Sequence, residues 1–587
     1  MKKNLKKIFS LRDSFSIIGL TGRKGAGVTL VSNVLSKSFE ENQFYKPKSK
    51  ELKNTDRKYE VLYDFAKRNW KTYKVINYKN VIFFHLLKYN FTEFSNFTKF
   101  HQYDFLINLK QLGLILNKYS TISIDIIGLG IINQAISDRN KLKKLSKIFF
   151  SDEFNSFVYE IDGYLKNNFP KDRIKFLQDV SNNLRKSGNP YEDELNSESH
   201  IFTIAELINR IIKGYKISHK ETHIVINSLR NSLEIMFFKE RYSAFYMFAV
   251  NSDRRKELLL DKNGNNEQLV NEIFEMDQEE YLGKYKDKQI RFGDFYIQDV
   301  QNCIQISDVF ISNNQPLSQM STKTQKFSKF KEESEQNVRI QLLRYTSLII
   351  HPGLVTPSHQ ERCMQFAVIA KNNSGCISRK VGAVVTDEYF SIKAVGWNDV
   401  PKGTVPCNLR SVDKLINGDD VLAYSPYEIT KKKDESNFFS TVKNFYSEFD
   451  SSICDGLNHS YCFKDFQNII EGEKNQIYTR SLHAEENAML QISKYGGQPL
   501  KNGMLFTTAS PCELCSKKAR QLEIKDIYYI DPYPGIAHKH ILSDGDSIPR
   551  LILFAGAVGR AYSKLYESIM SYKDELVLVT GKTPKKK

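Results

Sequence analysis

The tightest constraint on this chain is a pair of short motifs, Leu482-His483-Ala484-Glu485 and Ser510-Pro511-Cys512-Glu513-Leu514-Cys515. One imidazole and two thiols form a three-ligand zinc set. Zinc prefers tetrahedral N and S coordination, so three protein ligands leave a fourth position for a water that the metal acidifies. His483, Cys512 and Cys515 are therefore the expected metal ligands. Glu485, two residues from the imidazole, is placed to take and pass on a proton without binding the metal. The fold must bring two distant helix starts together. Residues 484–492 read as a helix with His483 at its start, residues 504–508 as a short buried strand, and Cys512 and Cys515 as opening a second helix. Two thiols three apart in a first turn share a face, and the positive helix end favours their thiolates.

H-x-E followed by P-C-x-x-C is the pattern of zinc nucleobase deaminases, in which hydroxide attacks C4 of cytosine or C6 of adenine. The match here is complete. A closed structural zinc would need a fourth protein ligand, and no obvious partner completes one.

The 587 residues exceed one core, and we read two large domains. No apolar run reaches the roughly 18 residues that would span a bilayer. The longest candidate, 112–132, carries Lys118 and Asp125. Residues 15–20 run straight into glycines without a cleavage site, which argues against a signal peptide, so a cytoplasmic location and no membrane partner are expected. All eight cysteines lie at or beyond Cys303, which suits reduced thiols and a metal enzyme better than a disulfide framework. A net charge of +17 fits phosphate-bearing ligands, but the lysines are scattered through the chain.

Near the start, Ser16-Ile17-Ile18-Gly19-Leu20-Thr21 reads as a strand, followed by Gly22-Arg23-Lys24-Gly25-Ala26-Gly27-Val28-Thr29 and a helix over 30–39. Glycines there let backbone N–H groups converge on an anion at a helix start. Gly22, Gly27 and Thr29 occupy the G-x-x-x-x-G-K-[ST] frame, while Val28 stands in the lysine position. Lys24 and Gly25, inside the loop, complete the expected nucleotide-binding set, with a nucleoside triphosphate and Mg2+ as its ligand. Binding is expected more than turnover, because the cation that reaches the terminal phosphates is replaced.

Further strands are expected at 121–127, 156–161, 223–227, 244–250 and 306–311, alternating with helices as in a parallel sheet. Asp125, Asp162 and Asp308 are the candidate acids for a magnesium ion. The expected fold class is α/β: an N-terminal P-loop three-layer α/β domain over 1–312 and a C-terminal cytidine-deaminase-like α/β/α domain over 336–575. Between them, 313–335 is polar without a hydrophobic period and reads as a linker. Within the second domain, 381–385 and 392–397 read as a hairpin, an insertion spans about 402–478, and 576–587 is a basic tail. Cys407, Cys454 and Cys462 in the insertion offer an irregularly spaced second metal set.

Beyond these residue-level readings, Gly396-Trp397-Asn398-Asp399-Val400-Pro401, His483-Ala484-Glu485-Glu486-Asn487-Ala488 and Tyr528-Tyr529-Ile530-Asp531-Pro532-Tyr533-Pro534-Gly535 resemble the antiphage dCTP deaminases of the cytidine and deoxycytidylate deaminase superfamily. The resemblance implies a P-loop, nucleotide-kinase-like regulatory domain joined to a zinc deaminase that converts dCTP, and dCMP, to the uracil nucleotide and depletes dCTP in antiphage defence. It implies that Asn398 holds the sugar, that Tyr533 lines the nucleotide pocket, and that the enzyme is held inactive until infection, in some relatives by a small RNA. A homo-oligomer is expected. Two positions depart from the family pattern, Val28 and Asn227, where the family usually carries Lys and Asp. Both weaken phosphate hydrolysis. Two other classes share features of the chain: a polynucleotide deaminase, which shares the zinc motif, and a nucleotide-sensing binding protein. An editor needs a basic, aromatic-lined groove, and no concentrated stretch of that kind occurs.

Overall fold

A computed structural model of the chain describes residues 7–46, 52–88, 94–96, 103, 109–130, 138–194, 200–286, 295–316, 326–430, 437–447, 449–473, 475–497, 499–531 and 536–583. Two compact units divide it, one comprising Met1–Thr356 with Arg560–Lys587, the other Pro357–Gly559.

The first unit is built on five parallel strands, β1 (Phe15–Thr21), β2 (Lys74–Asn77), β3 (Thr222–Asn227), β4 (Phe245–Asn251) and β5 (Val309–Ser312). Their lateral order is β2-β3-β1-β4-β5. β1 lies between β3 and β4, with Ile17 opposite both Ile224 and Phe245. A strand covered on both faces is apolar throughout, and β1, β3 and β4 are buried along almost their whole length. Helix α1 (Val28–Leu35) follows β1 through the glycine loop.

Two expected strands are helices. Residues 121–127 fall in α2 (Ser120–Leu129), which buries Ile122, Ile126 and Leu129, and 156–161 fall in α3 (Asp152–Asn168). In α3 the buried residues Phe154, Phe157, Val158, Ile161 and Leu165 keep a helical period, and Ser151 caps its start by accepting from Phe154 N at 3.1 Å. A window confined to Ser156–Ile161 hides that period. Among the described residues no single helix is long and apolar enough to cross a membrane. The apolar stretch from residue 112 is two helices bent by 62°, and its Leu112, Ile115, Ile122 and Ile126 join the core of the unit.

The expected magnesium acids are committed elsewhere. Asp125 pairs with Lys144 at 2.9 Å on the exposed face of α2, and Asp162 sits on α3 between Lys79 and Arg173. Burial alone would raise the Asp162 carboxyl, but the Arg173 and Lys79 cations hold it below its ordinary value. Asp308 precedes β5 instead of closing it, bonded to Lys239 at 2.6 Å and to Met247 N at 3.1 Å. Asn227, at the end of β3, donates to Asn77 Oδ1 at 2.8 Å.

The expected boundaries also shift. Helix α4 (Glu267–Lys286) precedes α5 (Phe327–Ile350), which takes up the second half of the expected linker and belongs to the first unit. Its buried Phe330, Ser334, Val338 and Leu342 recur every four residues, a period that the small polar Ser334 conceals in the sequence. The C-terminal residues return to the same unit: Arg344 Nη2 donates to Tyr566 Oη at 2.8 Å, and Gly353 N to Leu565 O at 2.9 Å. The expected basic tail begins inside a helix, Tyr572–Thr580. The second unit therefore runs from 357 to 559, not 336 to 575.

That unit has a five-stranded sheet in the order β10-β9-β8-β6-β7, made of β6 (Gly382–Thr386), β7 (Ile392–Trp397), β8 (Met504–Ala509), β9 (Asp526–Asp531) and β10 (Arg550–Leu553). β6 and β7 form the expected hairpin, β8 runs antiparallel to β6, and β8, β9 and β10 are mutually parallel. Helices α6 (His359–Ala370), α7 (Ala484–Tyr495) and α8 (Glu513–Gln521) complete the frame.

Between β7 and α7 the described part of the insertion folds on a small core of its own, including Val412, Phe438, Val442, Tyr461 and Phe466. Arg410 is buried within it, bonded to Glu428 and, at 2.7 Å, to Tyr461 Oη. Among the described residues, no metal-capable group of three includes Cys407, Cys454 or Cys462. Removing one partner of a buried ion pair leaves the other charge uncompensated, so Arg410→Met is expected to destabilise this element by about 3–5 kcal/mol. Hydrogen exchange is the check: faster exchange across 405–470 is the expected result, and unchanged protection would contradict it.

Candidate metal centre

The site begins with a glycine. A side chain at Gly396 would bring its Cβ to 2.4 Å from Ala488 N and 2.5 Å from Ala484 O, so α7 rests backbone to backbone on the end of β7. Two bonds lock that approach: Asn487 Nδ2 donates to Trp397 O at 3.0 Å, and Leu482 N to Asp399 O at 2.8 Å. His483 is thereby held in extended conformation immediately before the first turn of α7. On the other side, Ser510 N donates to Asp531 O at 2.8 Å, tying the turn after β8 to the end of β9. Cys512 caps α8, and Cys515 lies in its first turn.

The three expected ligands converge. His483 Nδ1 lies 3.2 Å from Cys512 Sγ and 3.5 Å from Cys515 Sγ, and the three donor atoms all fall within 4.8 Å of one another. Tetrahedral zinc with its usual Zn–N and Zn–S lengths would set nitrogen and sulfur about 3.6 Å apart. The donor set therefore fits zinc in both softness and spacing. Beside one another and beside His483, the Cys512 thiol is held below its ordinary value and the buried Cys515 thiol is pushed above it. The bond to Cys512 also raises His483.

Glu485 stands apart from the ligand set. It is 4% exposed, and burial raises its carboxyl above the ordinary range. Its Oε1 accepts from Thr507 Oγ1 at 2.8 Å. A buried acid close to the metal ligands is suited to moving a proton. Asn398, the expected sugar contact, is buried at the end of β7: its Oδ1 accepts from Val381 N at 2.7 Å and its Nδ2 donates to Arg379 O at 2.8 Å. One amide hydrogen and one lone-pair direction remain for another partner. Tyr533 lies outside the described residues.

The glycine loop of the first unit has tight, left-handed geometry, with φ of +84° at Gly25 and +103° at Gly27. Thr29 is exposed in the first turn of α1. A Cβ at Gly22 would approach Val250 O at 2.6 Å, and one at Gly27 would meet Asn313 Nδ2 at 2.4 Å. Asn313 Nδ2 donates to Ala26 O at 3.1 Å, across the loop from β5. Lys24 Nζ lies 3.8 Å from Asp277 Oδ1 on α4, where Asp277 also binds Arg255. Lys24, one of the two cations of the loop with Arg23, is thus turned toward a carboxylate. Sequence reasoning gave no role to Asp277 or Thr507, whose only signal was polarity within otherwise apolar or helical segments, and named Asp399 and Asn487 only as members of the motifs that carry the resemblance.

Residues 357–531 match the family described as the cytidine and deoxycytidylate deaminase zinc-binding region. The chain therefore carries a domain of that superfamily. A deoxycytidylate deaminase of Schizosaccharomyces pombe is 24% identical over 190 residues, 32% of this chain and 42% of the relative's length. The deoxycytidylate deaminase of Enterobacteria phage T2 is 28% identical over 172 residues, 29% of this chain and 78% of that protein. Among solved structures, the dCMP deaminase of cyanophage S-TIM5 in complex with dCMP and dUMP is 22% identical, with a TM-score of 0.21, and the alignment covers 34% of this chain and 99% of that one.

The geometry separates ligands from the acid. The full chain is expected to hold about one zinc, lost in Cys512→Ser or Cys515→Ser and kept in Glu485→Gln. Metal analysis of the three variants checks this, and zinc loss in Glu485→Gln alone would contradict it.

Proposed function

We propose that the second unit hydrolyses the exocyclic amino group of a deoxycytidine nucleotide, dCTP and also dCMP, to give the deoxyuridine nucleotide and ammonia. The observation that supports this most is the three-donor cluster of His483, Cys512 and Cys515 with buried Glu485 beside it. His483, Cys512 and Cys515 would hold a zinc ion, which would supply Lewis acidity to an attacking water. Glu485 would take one proton from the water and pass it to N3 as the C4–O bond forms, then move the proton of the added hydroxyl to the amino group, so that the C4–N bond breaks and ammonia leaves. Asn398 would offer its remaining amide hydrogen to the sugar, and Tyr533 would line the pocket. The matched deoxycytidylate deaminases support a nucleotide substrate. Resemblance to the antiphage dCTP deaminases supports dCTP depletion during infection as the purpose, with a small RNA as a candidate inhibitor.

The test is ammonia release by purified full chain given dCTP, dCMP, CTP or a single-stranded oligodeoxynucleotide. Turnover of dCTP and dCMP, falling by roughly 10²–10⁴ in Glu485→Gln, is expected. Deamination of the oligonucleotide with the free nucleotides untouched would overturn this reading in favour of an editing enzyme.

We further propose that the loop formed by Gly22, Lys24, Gly25, Gly27 and Thr29 binds the phosphates of a nucleotide without efficient hydrolysis. Val28 in the lysine position and the amide of Asn227 support weak turnover, since neither stabilises charge on a transferring phosphoryl group. In the full chain, ATP or GTP is expected to raise the thermal midpoint, and Gly27→Val to abolish that rise while leaving zinc content unchanged. A fast ATPase would contradict the proposal.

A further inference from the structure

Thr507 is one of two threonines in β8, whose other four residues are apolar. It is fully buried, next to Leu505 and Phe506, and a hydroxyl in such a place costs stability unless it is bonded. Its Oγ1 lies 2.8 Å from Glu485 Oε1 and 2.8 Å from Ala509 O. The carbonyl of Ala509 can only accept, so the hydroxyl links a fixed point of the sheet to the first turn of α7. The backbone of Thr507 is itself fixed, opposite Ala383 of β6 and Tyr529 of β9. A glutamate side chain has several rotatable bonds, and the contact made by Oε1 restricts them.

We propose that Thr507 is a positioning residue for Glu485, holding Oε1 against β8 so that the carboxyl group keeps a single orientation toward the reacting base. This rests on the deaminase reading above. The hydroxyl has one hydrogen to give: it donates to Oε1 when the Glu485 carboxyl is ionised, and when Oε1 carries the proton it accepts from Oε1 and gives its own hydrogen to Ala509 O. Valine has nearly the shape of threonine but cannot make the bond, whereas serine keeps the bond and loses only a methyl group.

The experiment compares steady-state deamination of dCMP and dCTP by the full chain, T507V, T507S and T507A, with zinc measured in each. T507V and T507A are expected to lower kcat at least about tenfold with KM within about twofold, because misplacement of a reacting group costs rate more than binding. Zinc content is expected to stay near one per chain, and T507S to recover most of kcat. In a Glu485→Gln background, T507V is expected to add little further loss, since both changes disable one device. Normal kcat in both T507V and T507A overturns the assignment. So does a T507S as impaired as T507V, which would make the methyl packing the cause. Absence of turnover by the unaltered chain on every substrate instead removes the deaminase reading, and this assignment with it.

Discussion

The backbone contact between α7 and Gly396 is the constraint on which the metal centre depends. Helices normally meet strands through side chains, which keep their axes well apart. Here Ala484 O and Ala488 N lie where a Cβ of residue 396 would stand. This approach sets His483 at the edge of the sheet, where the chain leaving β8 can deliver Cys512 and Cys515. The bonds from Asn487 to Trp397 and from Leu482 to Asp399 hold the same joint from both sides. A ligand cluster that draws on two helix starts needs such a joint, because neither helix alone carries all three donors.

The donor cluster of the candidate metal centre was legible in the sequence because the chemistry it suits requires particular residue types at short spacings. His483, Cys512 and Cys515 converge as the motif spacing implies, and the elements that carry them lie where local pattern places them. What escaped were the residues that act through shape or a single bond. Thr507 reads in the sequence as an ordinary β-branched strand residue, and its contact with Glu485 exists only after β8 has slid beneath α7. Asn398 was legible as a polar residue at a strand end, but not the two backbone bonds that engage its amide.

The first unit shows the opposite balance. Its glycine loop and the strands β1, β3 and β4 follow from short, strongly apolar segments beside turn residues. Residues 121–127 and 156–161 were misleading because a window of six or seven residues in which apolar side chains predominate satisfies a strand and a buried helical turn equally well. The period that decides the matter extends over several turns, from Phe154 to Leu165 in α3. The same effect concealed the first turns of α5, where lysines, glutamates and Ser334 cover a regular apolar face, whereas the stretch 339–350 reads as helical in the sequence. The ion pairs of Asp162 and Asp308 are likewise long-range, with Lys79 and Lys239 as partners that no local window reveals.

The central claim is that three protein groups hold a zinc ion and leave its fourth position open to water. X-ray absorption at the zinc edge of the metal-loaded full chain addresses this directly. The account expects two sulfur neighbours at about 2.3 Å and two nitrogen or oxygen neighbours at about 2.0–2.1 Å, one of them exchangeable with solvent or substrate. A shell of four protein donors, unchanged by added dCMP, would make the zinc a structural clamp and contradict the account.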